Sequence, residues 1–117
     1  MILLPLILAA ATVDPNVSKD AYRDCVVPKA TEWATGPDSA EVIVRTAEGL
    51  CDGERVDVKL ALFRFASEKE KEIQGGILRM TPKEFADVGT DNVVEGVRSL
   101  AFAAVLQARA KTSSRKP

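Results

Sequence analysis

No feature restricts how this chain can fold as much as its two cysteines, Cys25 and Cys51, which stand equidistant from Asp38 on either side of a Gly36-Pro37 break. Proline lacks the backbone donor a helix needs, and glycine favours helix ends, so the break separates two helices. Before it, Tyr22, Cys25, Val26, Ala30 and Trp33 recur at helical spacing. After it, Ala40, Ile43, Val44, Ala47, Leu50 and Cys51 do the same. Folding the chain back at the break sets Cys25 against Cys51, Val26 against Leu50 and Trp33 against Ile43. Face and register together predict a Cys25–Cys51 disulfide between the first two helices of the mature chain. Two buried free thiols are the alternative if the chain stays in a reducing compartment. A redox pair is disfavoured because the spacing is not Cys-x-x-Cys, and a zinc site because there is no third cysteine and no histidine.

Local signals mark the remaining elements. Ser18 is read as the cap of the first helix, with Asp20 in its first turn, and Pro28 as a kink or restart near Val27. Asp38-Ser39-Ala40-Glu41 has capping-box spacing with Asp38 as cap, and Asp52-Gly53 is read as the end of the second helix, with Asp52 as a candidate cap of the next. Val56–Phe63 alternates at first like a strand, but the segment from Glu54 to Lys71 is long and rich in good helix formers. It is therefore read as a helix, apolar over most of its circumference and so the central, most buried one. Gly75-Gly76 reads as a joint, and Thr81-Pro82-Lys83-Glu84 as the start of a short helix ending at Gly89. Thr90 or Asp91 then caps a last helix whose apolar face is Val93, Val97, Leu100, Ala101, Ala104, Val105 and Ala108. The expected fold is an all-α bundle of about five helices in one domain, residues 12–111, followed by a disordered polar tail, residues 112–117.

The N-terminal stretch is treated separately. Ile2 to Ala11 is an apolar run ending in Ala9-Ala10-Ala11, the pattern of a signal peptide cleaved after Ala11, although no Lys or Arg precedes it. A buried N-terminal element and an uncleaved anchor are the other readings. Export to a periplasm or to the extracellular space would place both cysteines where disulfides form.

The 117 residues carry a net charge of −1 and no histidine. There is thus no overall basic field for nucleic acid, no usual general base near neutral pH, and no common zinc ligand. Ser and Cys nucleophiles lack a histidine partner, no phosphate loop is present, and Glu32, Glu48 and Glu95 are explained as helix surface. Neither a metal nor a cofactor is expected, and neither is enzymatic activity; an enzyme working by carboxylates alone would need two acids converging in one cleft. Trp33, the only tryptophan, belongs to the core by its position, with a binding surface as the sharper alternative. Arg109, Lys111, Arg115 and Lys116 read as favourable charges at a helix C-terminus. The function expected is binding of a protein partner of unknown identity, with no nucleic acid and no stable membrane insertion of the mature chain. That reading anticipates an apolar patch near Trp33 or along the last helix. The alternative is a small-molecule or lipid carrier with a pocket between the helices, around Val56–Ala66.

Overall fold

A computed structural model describes residues 14–70 and 80–114. Among these, four α-helices follow one another: α1 (Pro15–Glu32), α2 (Ala40–Leu50), α3 (Asp52–Glu68) and α4 (Pro82–Ser114). The leader, the Gly75-Gly76 joint and the last three residues lie outside the described residues. The architecture is all-α, and a disulfide ties Cys25 in α1 to Cys51 at the α2–α3 junction.

The start of α1 differs from expectation. Asp14 is the cap, its carboxylate accepting from the Asn16 amide at 2.9 Å, and Pro15 takes the first helical position. Ser18 lies inside the helix because proline there costs no hydrogen bond and its fixed φ suits a first turn. Nor does Pro28 divide α1. The carbonyl its missing N–H would have served belongs to Asp24, an exposed residue on the solvated side. Thr31 strengthens the same turn by donating from its hydroxyl to the Val27 carbonyl at 2.8 Å.

The cap of α2 is Ser39 rather than Asp38, its hydroxyl accepting from the Val42 amide at 3.2 Å. At the other end the helix breaks at Cys51, beyond which the amides of residues 52–54 make no bond back to α2. Cys51 closes α2 and opens α3, its amide donating to Ala47 and its carbonyl accepting from Arg55. Asp52 and Gly53, expected as a terminator, instead form the first turn of α3.

The segment that could have been a strand is helical, but it is not the most buried element. Val58, Leu62 and Ala66 face inward, while Val56, Leu60 and Phe63 are 40%, 47% and 44% exposed. Apolar residues cover two faces of α3, and only one of them meets other helices.

The central position belongs to α4, which packs against all three other helices and most extensively against α3. Its 33 residues form one helix about 50 Å long where two were expected. Thr81 and Glu84 make the predicted reciprocal cap: the Glu84 carboxylate accepts from the Thr81 amide at 3.0 Å, and the Thr81 hydroxyl accepts from the Glu84 amide at 3.1 Å. Gly89 does not end the helix, and Thr90 is not a cap but a buried core residue. A Cβ on Gly89 would lie 2.8 Å from Leu62 Cδ1, so this glycine is where α3 comes close to α4. The helix also continues to Ser114, so residues 112–114 of the expected tail are helical.

Cross-helix contacts give the directions. Glu48 meets Arg98, Leu62 lies over Gly89, and the ring of Phe65 sits 6.1 Å from that of Phe85. As numbers rise along α2 and α3 they fall along α4, so both helices run antiparallel to it. The core between them takes Tyr22, Val26 and Ala30 from α1, Ile43, Val44 and Ala47 from α2, and Val97, Ala101 and Val105 from α4. Two residues expected on inward faces point to solvent instead: Leu50 is 60% exposed and Leu100 52%.

The glycines of α4 supply a test of this packing. At Gly96 a Cβ would meet nothing within 4 Å. Gly96→Ala is expected to stabilise the fold by about 0.5–1 kcal/mol through helix propensity. Gly89→Ala is expected to give no such gain, because the buried Leu62 must shift to admit the methyl group. Urea unfolding of both variants checks the contrast, and equal gains would show that α3 and α4 are not in tight contact at Gly89.

Candidate functional site

The chemistry-bearing residues gather at two places. The first is the disulfide junction. Cys25 and Cys51 have Cα atoms 6.0 Å apart; Cys51 is fully buried and Cys25 partly so. The Lys29 ammonium lies 3.6 Å from the Cys25 sulfur. A carboxylate oxygen of Glu54 lies within 4.8 Å of both sulfur atoms. Two cysteines and a glutamate could in principle hold a metal, but a zinc ligand must be a thiolate, and these sulfurs are bonded to each other. The group is a covalent brace with charged side chains beside it.

Around that brace lies a polar cluster. The Arg98 guanidinium grips Glu48 with two hydrogen bonds, of 2.7 and 3.1 Å. This forked geometry makes the pair stronger than a single-contact ion pair. The Glu48 side chain is only 14% exposed, so the carboxylate read as simple helix surface is in fact the ionic link between α2 and α4. The bond to Glu48 raises the pKa of Arg98, and the bond to Asp52 at 2.7 Å does the same for Arg55. Tyr22 is buried beside them. Burial pushes its phenol above the ordinary value, the Glu48 carboxylate adds to the effect, and the two guanidiniums oppose it. Its ring therefore stays a neutral part of the core.

Other carboxylates lie beside cations. Asp87 takes Lys83 at 2.9 Å and Lys59 at 3.3 Å, and these bonds hold its carboxyl below the usual range. Arg23 lies between Asp20 and Asp24, and Arg45 meets Glu41.

Two residues singled out from the sequence have different placements from those expected. Trp33 is half-buried against the core, where it caps the C-terminus of α1. The apolar surface is therefore not centred on it. Arg109 does not simply complement its own helix end. Its guanidinium reaches across to the turn between α1 and α2, donating to the Ala34 carbonyl at 2.7 Å and to the Asp38 carbonyl.

The second place is the outer face of α3. Leu60 stands as a ridge between two open surface grooves. One is formed with Asp14, Val17 and Ala61, the other with Phe63, Lys83 and Ala86. Val56, Leu60 and Phe63 make an apolar strip on the side of α3 turned away from the core. The sequence shows all three as apolar, but which apolar residues of α3 lack a partner depends on where α1 and α4 lie.

Among the described residues, fold and junction define a class: an all-α, four-helix arrangement braced by a disulfide. Compared with known proteins, the chain matches no family, no curated protein and no solved structure. Among the described residues, no helix is long and apolar enough to cross a membrane.

Proposed function

We propose that this is an exported helical binding protein that recognises another polypeptide through the outer face of α3, without catalysing a reaction. The observation that carries the reading is the strip Val56, Leu60 and Phe63, each at least 40% exposed on a helix whose opposite face is fully packed. Each keeps rather less than half of its surface in water, so a partner could recover about 0.6–1.4 kcal/mol per side chain. The carrier alternative requires the apolar surplus around Val56–Ala66 to line an interior cavity. There, Val58, Leu62 and Ala66 fill the interior, and the surplus residues point outward. Export is supported by the disulfide, which persists in oxidising compartments, together with the Ile2–Ala11 run. The proposal places the mature protein in a periplasm or outside the cell, beginning at Thr12.

Affinity capture from the envelope and extracellular fractions, followed by mass spectrometry, tests both parts. The expected result is a mature chain starting at Thr12 and a bound polypeptide that is lost with Leu60→Glu. Retention of Met1 in a cytosolic, reduced protein would overturn export. Capture unaffected by Leu60→Glu would overturn the assignment of the surface.

A further inference from the structure

Glu54 has no contact in the fold that accounts for where its side chain goes. Among the described residues, neither a hydrogen bond nor an ion pair engages its carboxylate, whereas Asp52 and Lys59 on the same helix are paired with Arg55 and Asp87. The side chain is partly buried beside the disulfide, with an oxygen within 4.8 Å of both sulfur atoms. A bridged sulfur carries no proton to donate, so the carboxylate gains no hydrogen bond there. The first turn of α3 favours a negative charge but does not aim it at the sulfurs.

The placement has a use once the bridge is open. Cys51 opens α3 and Glu54 lies in its first turn, so one end of that helix supplies two ligand atoms, and Cys25 on α1 supplies a third. In a tetrahedral zinc site with Zn–S bonds of about 2.3 Å and a Zn–O bond of about 2.0 Å, the sulfurs stand about 3.8 Å apart and the oxygen about 3.5 Å from each. Cα atoms 6.0 Å apart suit that spacing, so side-chain movement of about 1 Å completes the site.

We infer that Cys25, Cys51 and Glu54 form a redox-gated zinc site, closed to metal while the disulfide stands and open to it after reduction. Thiolates select zinc over calcium and magnesium, which take oxygen ligands. Two thiolates and a carboxylate leave the zinc complex with a single net negative charge. The Lys29 ammonium, 3.6 Å from the Cys25 sulfur, offsets that charge and donates to the ligand sulfur from outside the coordination shell. Water takes the fourth position on the Cys25 side, because Cys51 is fully buried and Cys25 only partly.

The gate is opened by a dithiol reductant. Its first thiolate attacks the Cys25 sulfur, the more accessible of the two, breaking the bridge and expelling Cys51 as a thiolate. Its second thiolate then displaces Cys25, and the reductant departs as a disulfide. Two electrons thus pass to the protein, and zinc takes the place of the two protons that the new thiols would carry. Where disulfides persist, the bridge is the resting form, and zinc uptake follows the arrival of a reductant.

The test uses the full chain reduced with a phosphine, which opens the bridge without offering zinc a competing thiol. Zinc titrated against a chromophoric chelator is expected to bind in one equivalent to the reduced protein and not to the oxidised protein. Cobalt in its place should show thiolate-to-metal charge-transfer absorption. Glu54→Gln should weaken zinc binding at least about tenfold, and Lys29→Gln about tenfold, with the oxidised fold of both unchanged by circular dichroism. Zinc should also raise the melting temperature of the reduced protein, as a ligand of the native state alone does. A reduced protein that takes up no zinc, an oxidised protein that takes up as much, or a reduced chain that zinc neither stabilises nor folds overturns the site. Zinc affinity indifferent to Glu54→Gln overturns the assignment of the carboxylate as a ligand.

Discussion

Replacing Cys25 and Cys51 together by serine is expected to lower the stability of the oxidised protein by about 3.5 kcal/mol, on the chain-entropy estimate for a loop of this length. The bridge closes a separation of 26 residues, spanning the last two turns of α1, the proline turn and all of α2. Without it, α1 and α2 are held by apolar contact and by the turn alone. A domain of this size has a total stability of about 5–15 kcal/mol, so the loss is a large share of it. The melting temperature should fall by about 15–25 °C. Cys51 is fully buried, so serine there also places a hydroxyl in the core; the Cys25→Ala/Cys51→Ala variant separates that cost from the loss of the bridge. Thermal unfolding followed by circular dichroism makes the measurement. A fall of only a few degrees in the alanine variant would show that the brace is not what holds the α1–α2 hairpin.

The second large effect is expected at Arg109. Its guanidinium serves two carbonyls, those of Ala34 and Asp38, in the turn between α1 and α2. Both groups lie outside either helical ladder. A charged donor makes each bond stronger than a neutral one. Arg109→Ala is expected to cost about 2–3 kcal/mol, since it removes the donor and leaves a part-buried carbonyl unpaired. Arg109→Lys should recover only part of this, because an ammonium cannot present the same planar fork. The two variants also differ from wild type in where they loosen. Hydrogen exchange should speed up at residues 34–39, while the Thr81–Glu84 cap at the far end of α4 stays as protected as before. Uniform loss of protection along α4 would instead place the role of Arg109 within its own helix.

Both predictions concern the same hairpin, and they differ in how far the sequence reveals them. The disulfide could be read because periodicity and register are local properties: each depends only on counting residues along the chain. The Thr81–Glu84 cap was legible for the same reason, since its donors and acceptors lie within one turn. Arg109 was not, because its partners lie 75 and 71 residues away in sequence. Glu48 likewise has the sequence signature of helix surface, and its partner Arg98 is brought to it only by α4. Gly89 shows the limit most clearly. Glycine signals a helix end when judged by propensity, but here it marks the point where Leu62 must fit. The cost of a glycine inside a long helix is small against the packing it permits.

The sequence by itself determined the helical character of the chain, the hairpin at Gly36-Pro37, the pairing of its two cysteines and the cap at Thr81. All of these follow from hydrogen-bonding geometry and spacing over a few turns. Only the tertiary structure decided that α4 is one continuous helix, that it rather than α3 is central, and that Val56, Leu60 and Phe63 face solvent. An apolar residue shows its hydrophobicity in the sequence, but burial requires a partner surface, and that surface comes from distant parts of the chain.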